Sequence, residues 1–193
     1  MGGVVLVVAA PAGRATLATA IYAVSVAALF GVSALYHRIT WASADARRWM
    51  RRLDHTMIFF LIAGTYTPFC LLVLDGTLAT AILCAVWGGA LAGIVLNLVW
   101  IDSPKWVTAV VYVSVGWVAI IAFPDLTSEL GVMAIVLLGL GGLLYTLGAV
   151  VYARKKPDPS PAVFGYHEIF HALVIAAAAL QYAVIAFYVL PDA

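Results

Sequence analysis

The strongest constraint on this chain is a set of long, almost uncharged apolar stretches, near residues 17–39, 53–74, 77–100, 106–123, 130–152 and 165–190. A helix of about 20 residues crosses roughly 30 Å of hydrocarbon, so each stretch is long enough to span a bilayer. The runs are continuous and do not alternate apolar with polar residues. Helices that satisfy their backbone internally are therefore predicted, and a β-barrel is excluded. With 65% hydrophobic and 10% charged residues and a mean hydropathy of +1.09, lipid is the solvent for most of the surface. The predicted fold is an all-α integral membrane helical bundle, a single domain over residues 1–193 of the seven-transmembrane type, with six full spans and a shortened first helix. That first element is Val4–Ala10, about a third of a span, ended by Pro11 and Gly13. Met1, Gly2 and Gly3 provide no charged leader, so no secretory signal is expected, and an upstream extension would complete a seventh span.

Charge sets the expected orientation. Nine of the ten Lys and Arg residues fall in alternate connections: Arg38, Arg47, Arg48, Arg51 and Arg52, then Lys105, then Arg154, Lys155 and Lys156. These connections are expected to be cytoplasmic, with Asp75, Asp125, Glu129 and the C-terminus outside. The net charge of +1 gives no reason to expect a nucleic-acid partner, and the arginine cluster reads as a topology signal or anionic-lipid contact. Pro157, Pro159 and Pro161 stiffen the connection before the last span. Gly89 and Gly93 form a small-xxx-small pair suited to close helix packing. Cys70 and Cys84, without C-x-x-C spacing, read as inert membrane thiols.

The chemistry concentrates in HEIFH at 167–171. On a helix, His167 and His171 project about 40° apart in azimuth and about 6 Å apart in height, a bite that two ring nitrogens can close on one zinc ion. His37 ends one span, Asp54 begins the next, and the two histidines open the last, so all four are expected near the cytoplasmic edge although they come from three helices. Three imidazoles with a fourth position for water make the ligand set of catalytic zinc, and a carboxylate nearby orients the water or a ligand. Ser33 lies one turn from His37 on the same face. Taken singly, each has a plainer reading. A lone histidine at a helix end is an interfacial or hydrogen-bonded residue, Asp54 a boundary charge beside Arg51 or Arg52, and Ser33 a hydroxyl bonded to its own backbone. His55 points about 100° from Asp54 and reads as an outer or packing residue. HEIFH also satisfies the HExxH pattern of zinc proteases, with Glu168 as base, but no further ligand follows at a suitable distance. Asp192 is the only later candidate and lies at the opposite face, while Leu74-Asp75-Gly76 precedes the pentad. Glu168 is expected at headgroup level or outside the ligand shell.

SALYHR at 33–38, RLDHTMIFFLIAGTYTPF at 52–69 and FGYHEIFHALV at 164–174 together resemble the haemolysin III family, bacterial relatives of the progestin and adiponectin receptors. The resemblance covers nearly the whole chain. It implies a seven-helix bundle in the bacterial plasma membrane with zinc near its cytoplasmic side, bound by His37, His167 and His171, and with Asp54 and Ser33 near the metal-bound water. The short N-terminus departs from the family's complete first helix. Because the wider superfamily includes ceramide-cleaving enzymes, a zinc-dependent hydrolase of an amide-bearing membrane lipid is the expected function. A pore-forming or cytolytic haemolysin and a receptor-like sensor with structural zinc are the alternatives.

Overall fold

A computed structural model describes residues 2–100, 104–161 and 163–193; Met1, on which the leader expectation partly rests, lies outside them. The described residues are helical throughout apart from short connections, and they form no strand. Among the described residues five helices are long and apolar enough to cross a membrane, one of them a merged pair, so these residues supply five to six spans of a multi-pass membrane protein. The chain divides into two compact units.

The first unit holds α1 (Gly2–Ala9), α2 (Arg14–Arg38), α3 (Ala44–Leu72) and α4 (Gly76–Val99), each packed on the next. The short apolar run at the start is helical and lies against α2. Leu6 is buried, and a methyl group at Gly3 would meet the Ala23 side chain, so glycine lets the two backbones approach. Gly13, at φ 99°, makes the turn between them in a conformation that residues with a Cβ rarely adopt. Helix α3 starts nine residues, about two and a half turns, before the expected span at 53–74. Ser43 caps it by accepting from the Ala46 amide at 3.1 Å, Asp45 sits in its first turn, and Arg48 pairs with Asp45. The polar stretch Ala44–Arg52 is therefore helix, because capping and intrahelical charge pairs stabilise it without apolar burial. Of the small-residue pair on α4, Gly93 is the buried one. It shares a face with Ile82, Val86, Ala90 and Asn97, and the Phe59 ring of α3 fills the notch that Gly93 leaves.

The second unit holds α5 (Lys105–Gly116), continued by a 3₁₀ stretch at Trp117–Ala122, then α6 (Phe123–Arg154) and α7 (Tyr166–Val184), which ends in a π-helical segment at Ile185–Val189. The expected loop after residue 123 is absent. Helix continues through Pro124, Asp125 and Glu129, and the chain reverses at Gly131, whose φ of 79° and ψ of 166° leave the helical region. Pro124 starts a helical stretch, where its missing N–H costs nothing, and a left-handed φ at the reversal suits only glycine. The Trp117 indole N–H donates to the Thr146 hydroxyl at 2.9 Å, and these residues stand at nearly equal distances along the chain on either side of Gly131. The spans expected at 106–123 and 130–152 are thus the two arms of one helical hairpin. The proline-rich connection closes on itself through Phe164 N–H to Ser160 C=O at 2.7 Å, and the Asp158 carboxylate accepts from the Tyr166 amide at 2.9 Å, which fixes where α7 begins.

Replacing Gly93 with Leu forces a side chain into space held by the buried Phe59 ring. It is expected to lower the melting temperature in detergent by several degrees, an overpacking cost of about 1–3 kcal/mol. Gly88→Leu, facing open space, is expected to leave the melting temperature within a degree or two.

Candidate metal centre

Helix α7 carries two imidazoles one turn apart, and its first turns position both. Glu168 Oε2 accepts from the Gly165 amide at 2.9 Å, so together with Asp158 it satisfies two of the amides that the helix start leaves without intrahelical partners. Within this frame the His167 and His171 rings stand 4.6 Å apart by centroid and almost perpendicular, with their Nε2 atoms 3.1 Å from each other. Two nitrogens at that separation either share one proton as N–H···N or direct two lone pairs at one cation. Ligands bound at about 2.05 Å around a tetrahedral metal lie about 3.3 Å apart, so the spacing also suits adjacent positions of such a shell.

His37 lies in the last turn of α2, its ring edge-on to Tyr36 at 4.7 Å. His37, His167 and His171 are, among the described residues, the three histidines that could together hold a metal ion. Three neutral imidazoles form a borderline donor set that suits zinc, copper, nickel or iron, and three protein ligands leave a tetrahedral ion one open position. The residues present therefore fit a metal ion in chemistry, and the His167–His171 pair fits it in spacing.

The other expected site residues are placed as follows. Ser33 is half-buried on α2, one turn before His37. Asp54 is buried on α3, ten residues from the helix start rather than at it, and its carboxylate lies 4.0 Å from His55 Nδ1. His55 donates from Nδ1 to the Arg51 carbonyl at 2.7 Å, which ties its ring to its own helix. Glu168 is exposed and serves as the cap of α7, which accounts for an acid inside the pentad without any role as a base. Not anticipated from sequence is an aromatic wall behind His167. Tyr152, Tyr166 and Phe170 have ring centroids 6.1, 6.2 and 6.1 Å from the His167 ring, and Lys105 sits over the two tyrosines.

Two consequences can be measured. Purified protein is expected to carry about one metal ion per chain by elemental analysis, and His171→Ala to carry less than about a tenth of that. Glu168→Gln still offers an oxygen to the Gly165 amide and is expected to keep metal content and melting temperature, whereas Glu168→Ala is expected to cost about 1 kcal/mol.

Comparison with known proteins agrees with this architecture. The family described as Haemolysin-III related matches residues 1–182. The chain is 36% identical over 168 residues to the hemolysin-3 homolog of Bacillus subtilis, covering 87% of this chain and 75% of that one. It is 33% identical over 179 residues to hemolysin-3 of Bacillus cereus, covering 93% and 78%. The human monocyte to macrophage differentiation factor is 28% identical over 165 residues, covering 84% and 66%.

Proposed function

The chain belongs to the haemolysin-III-related family of membrane proteins, and on that premise we propose that it is a zinc-dependent hydrolase of an amide-bearing membrane lipid, with His37, His167 and His171 holding the metal. The observation that carries this reading is the pair of ring nitrogens 3.1 Å apart on α7, which with His37 as a third ligand would leave one tetrahedral position to spare. Zinc is preferred among the metals that imidazole binds because it takes tetrahedral geometry readily and has no redox chemistry to compete with hydrolysis. The flanking cations support a cytoplasmic placement of the metal end and an outside C-terminus, and the bacterial relatives support a bacterial plasma membrane.

When bound, zinc supplies Lewis acidity towards a carbonyl oxygen and acidifies water. The chain's own groups do the rest. The histidines remain neutral so that their lone pairs are available. Asp54, a carboxylate buried at the start of the apolar part of α3, takes a proton from the attacking water and returns it to the departing nitrogen, so the C–N bond breaks to an acid and an amine with no net proton change. Ser33 donates a hydrogen bond to the developing oxyanion. A buried ionisable group in a membrane helix is a functional candidate by default, which supports Asp54 in this role. The exposed apolar flanks of the helices give a lipid lateral access to the site.

A fluorescent ceramide-type amide lipid in mixed micelles tests the reading. The wild-type protein is expected to turn it over, chelation to abolish turnover, Asp54→Asn to reduce it by about 100-fold or more with metal content unchanged, and Ser33→Ala by about 10-fold. Full turnover in Asp54→Asn, or metal binding with no turnover of any amide lipid, would leave a structural metal. Dye release from liposomes that persists in a His37→Ala, His167→Ala double variant would instead point to metal-independent lysis.

A further inference from the structure

Lys105 opens α5 at the end of the second unit where α7 begins, and its ammonium has well-defined surroundings. Nζ lies 4.1 Å from the Tyr152 ring centroid and 5.0 Å from that of Tyr166, and it donates to the Tyr166 hydroxyl at 3.2 Å. Aromatic faces attract a cation without neutralising it. Among the described residues no carboxylate comes within 4.0 Å of this ammonium, and Asp158 is engaged with the Tyr166 amide. Among the described residues only the Tyr166 hydroxyl accepts from the ammonium, so two of its N–H donors remain for a ligand. The Tyr166 oxygen accepts from it and so keeps its own O–H to give. Two donors 3.2 Å apart, one charged, can both reach the oxygens of a single oxyanion group.

The surroundings indicate what carries that anion. Trp106 is 62% exposed, and Val163 and Phe164, just before α7, are 80% and 48% exposed, so apolar surface borders the two donors. Exposed tryptophan beside lysine at the end of a membrane helix is the pattern of the headgroup level, where an acyl chain lies on one side and water on the other. The other side of the Tyr152 ring wall leads to the metal centre. The two ring distances together bound the ammonium to within about 10 Å of the His167 ring.

We propose that Lys105 and Tyr166 form an anion subsite that holds the phosphate of an amphipathic lipid on the same side of the second unit as His167. Lysine serves as a point charge for phosphate, and the phenol adds a directed hydrogen bond. The proposal rests on the hydrolytic reading only in making this lipid the substrate, which would then be an amide lipid with a phosphorylated head; the binding itself does not depend on turnover.

The experiment counts lipid bound to the purified full-length chain in neutral-lipid nanodiscs doped with phosphatidic acid or diacylglycerol, at about 0.5 M salt to screen diffuse attraction. Phosphatidic acid is expected to be retained about ten-fold better than diacylglycerol. Lys105→Gln should remove that preference, and Tyr166→Phe, which deletes only the hydroxyl and leaves the packing, should weaken it by about three- to ten-fold. Lys155→Gln, at an exposed cation in the same unit, should leave it unchanged. Equal binding by Lys105→Gln and wild type, an equal loss in Lys155→Gln, or displacement of the lipid by an equal concentration of inorganic phosphate would overturn the proposal. Because binding is what is read, retention of phosphatidic acid through Lys105 in a chain that hydrolyses no amide lipid would keep this subsite and sink the hydrolase reading alone.

Discussion

Two imidazole nitrogens 3.1 Å apart on one helix face cannot both present lone pairs to empty space. Something positive must lie between or beside them, whether a shared proton or a metal ion, and the rest of the second unit reads as the apparatus that keeps this demand in place. Helix α7 cannot slide or fray at its start, because Glu168 and Asp158 hold the Gly165 and Tyr166 amides. The His167 ring cannot swing away freely, because Tyr152, Tyr166 and Phe170 surround it. An acid that sequence patterns would assign to proteolysis is here an element of helix termination.

The polar groups of this protein are confined to few places because lipid penalises each one. Threonines and serines inside the spans mostly satisfy themselves locally: Thr19, Ser25, Thr65, Thr67 and Thr146 donate to carbonyls three or four residues earlier. Against that background a buried Asp54 and two histidines on one face of α7 stand out. The same penalty accounts for the aromatic setting of Lys105, since rings give a cation partial compensation where water is scarce.

Most of the fold was legible in the sequence for the same reason. A chain dissolved in hydrocarbon must be helical and must advertise its spans as apolar runs, and HEIFH displays its geometry in its spacing. Less visible were features that depend on backbone economy or on residues far apart in the chain. The early start of α3 at Ala44 hides in a polar stretch with no apolar period, although Ser43 followed by Asp45 signals a helix start. Pro124 with Asp125 and Glu129 looks like a loop by composition, yet the reversal is at Gly131, and only its φ reveals this. The grouping of Lys105, Tyr152 and Tyr166 required the packing of α5, α6 and α7; charge orientation placed all three at one end but could not bring them into contact.

The reversal at Gly131 also bears on how the second unit reaches the bilayer. The two apolar arms are joined only by the short stretch 124–131, itself mostly helical, so little chain is left to let one arm settle while the other waits in water. They are delivered as a pair, with the Asp125 and Glu129 carboxylates at the end where the arms meet. A single glycine thus decides that this part of the protein is inserted as one hairpin and not as two successive helices.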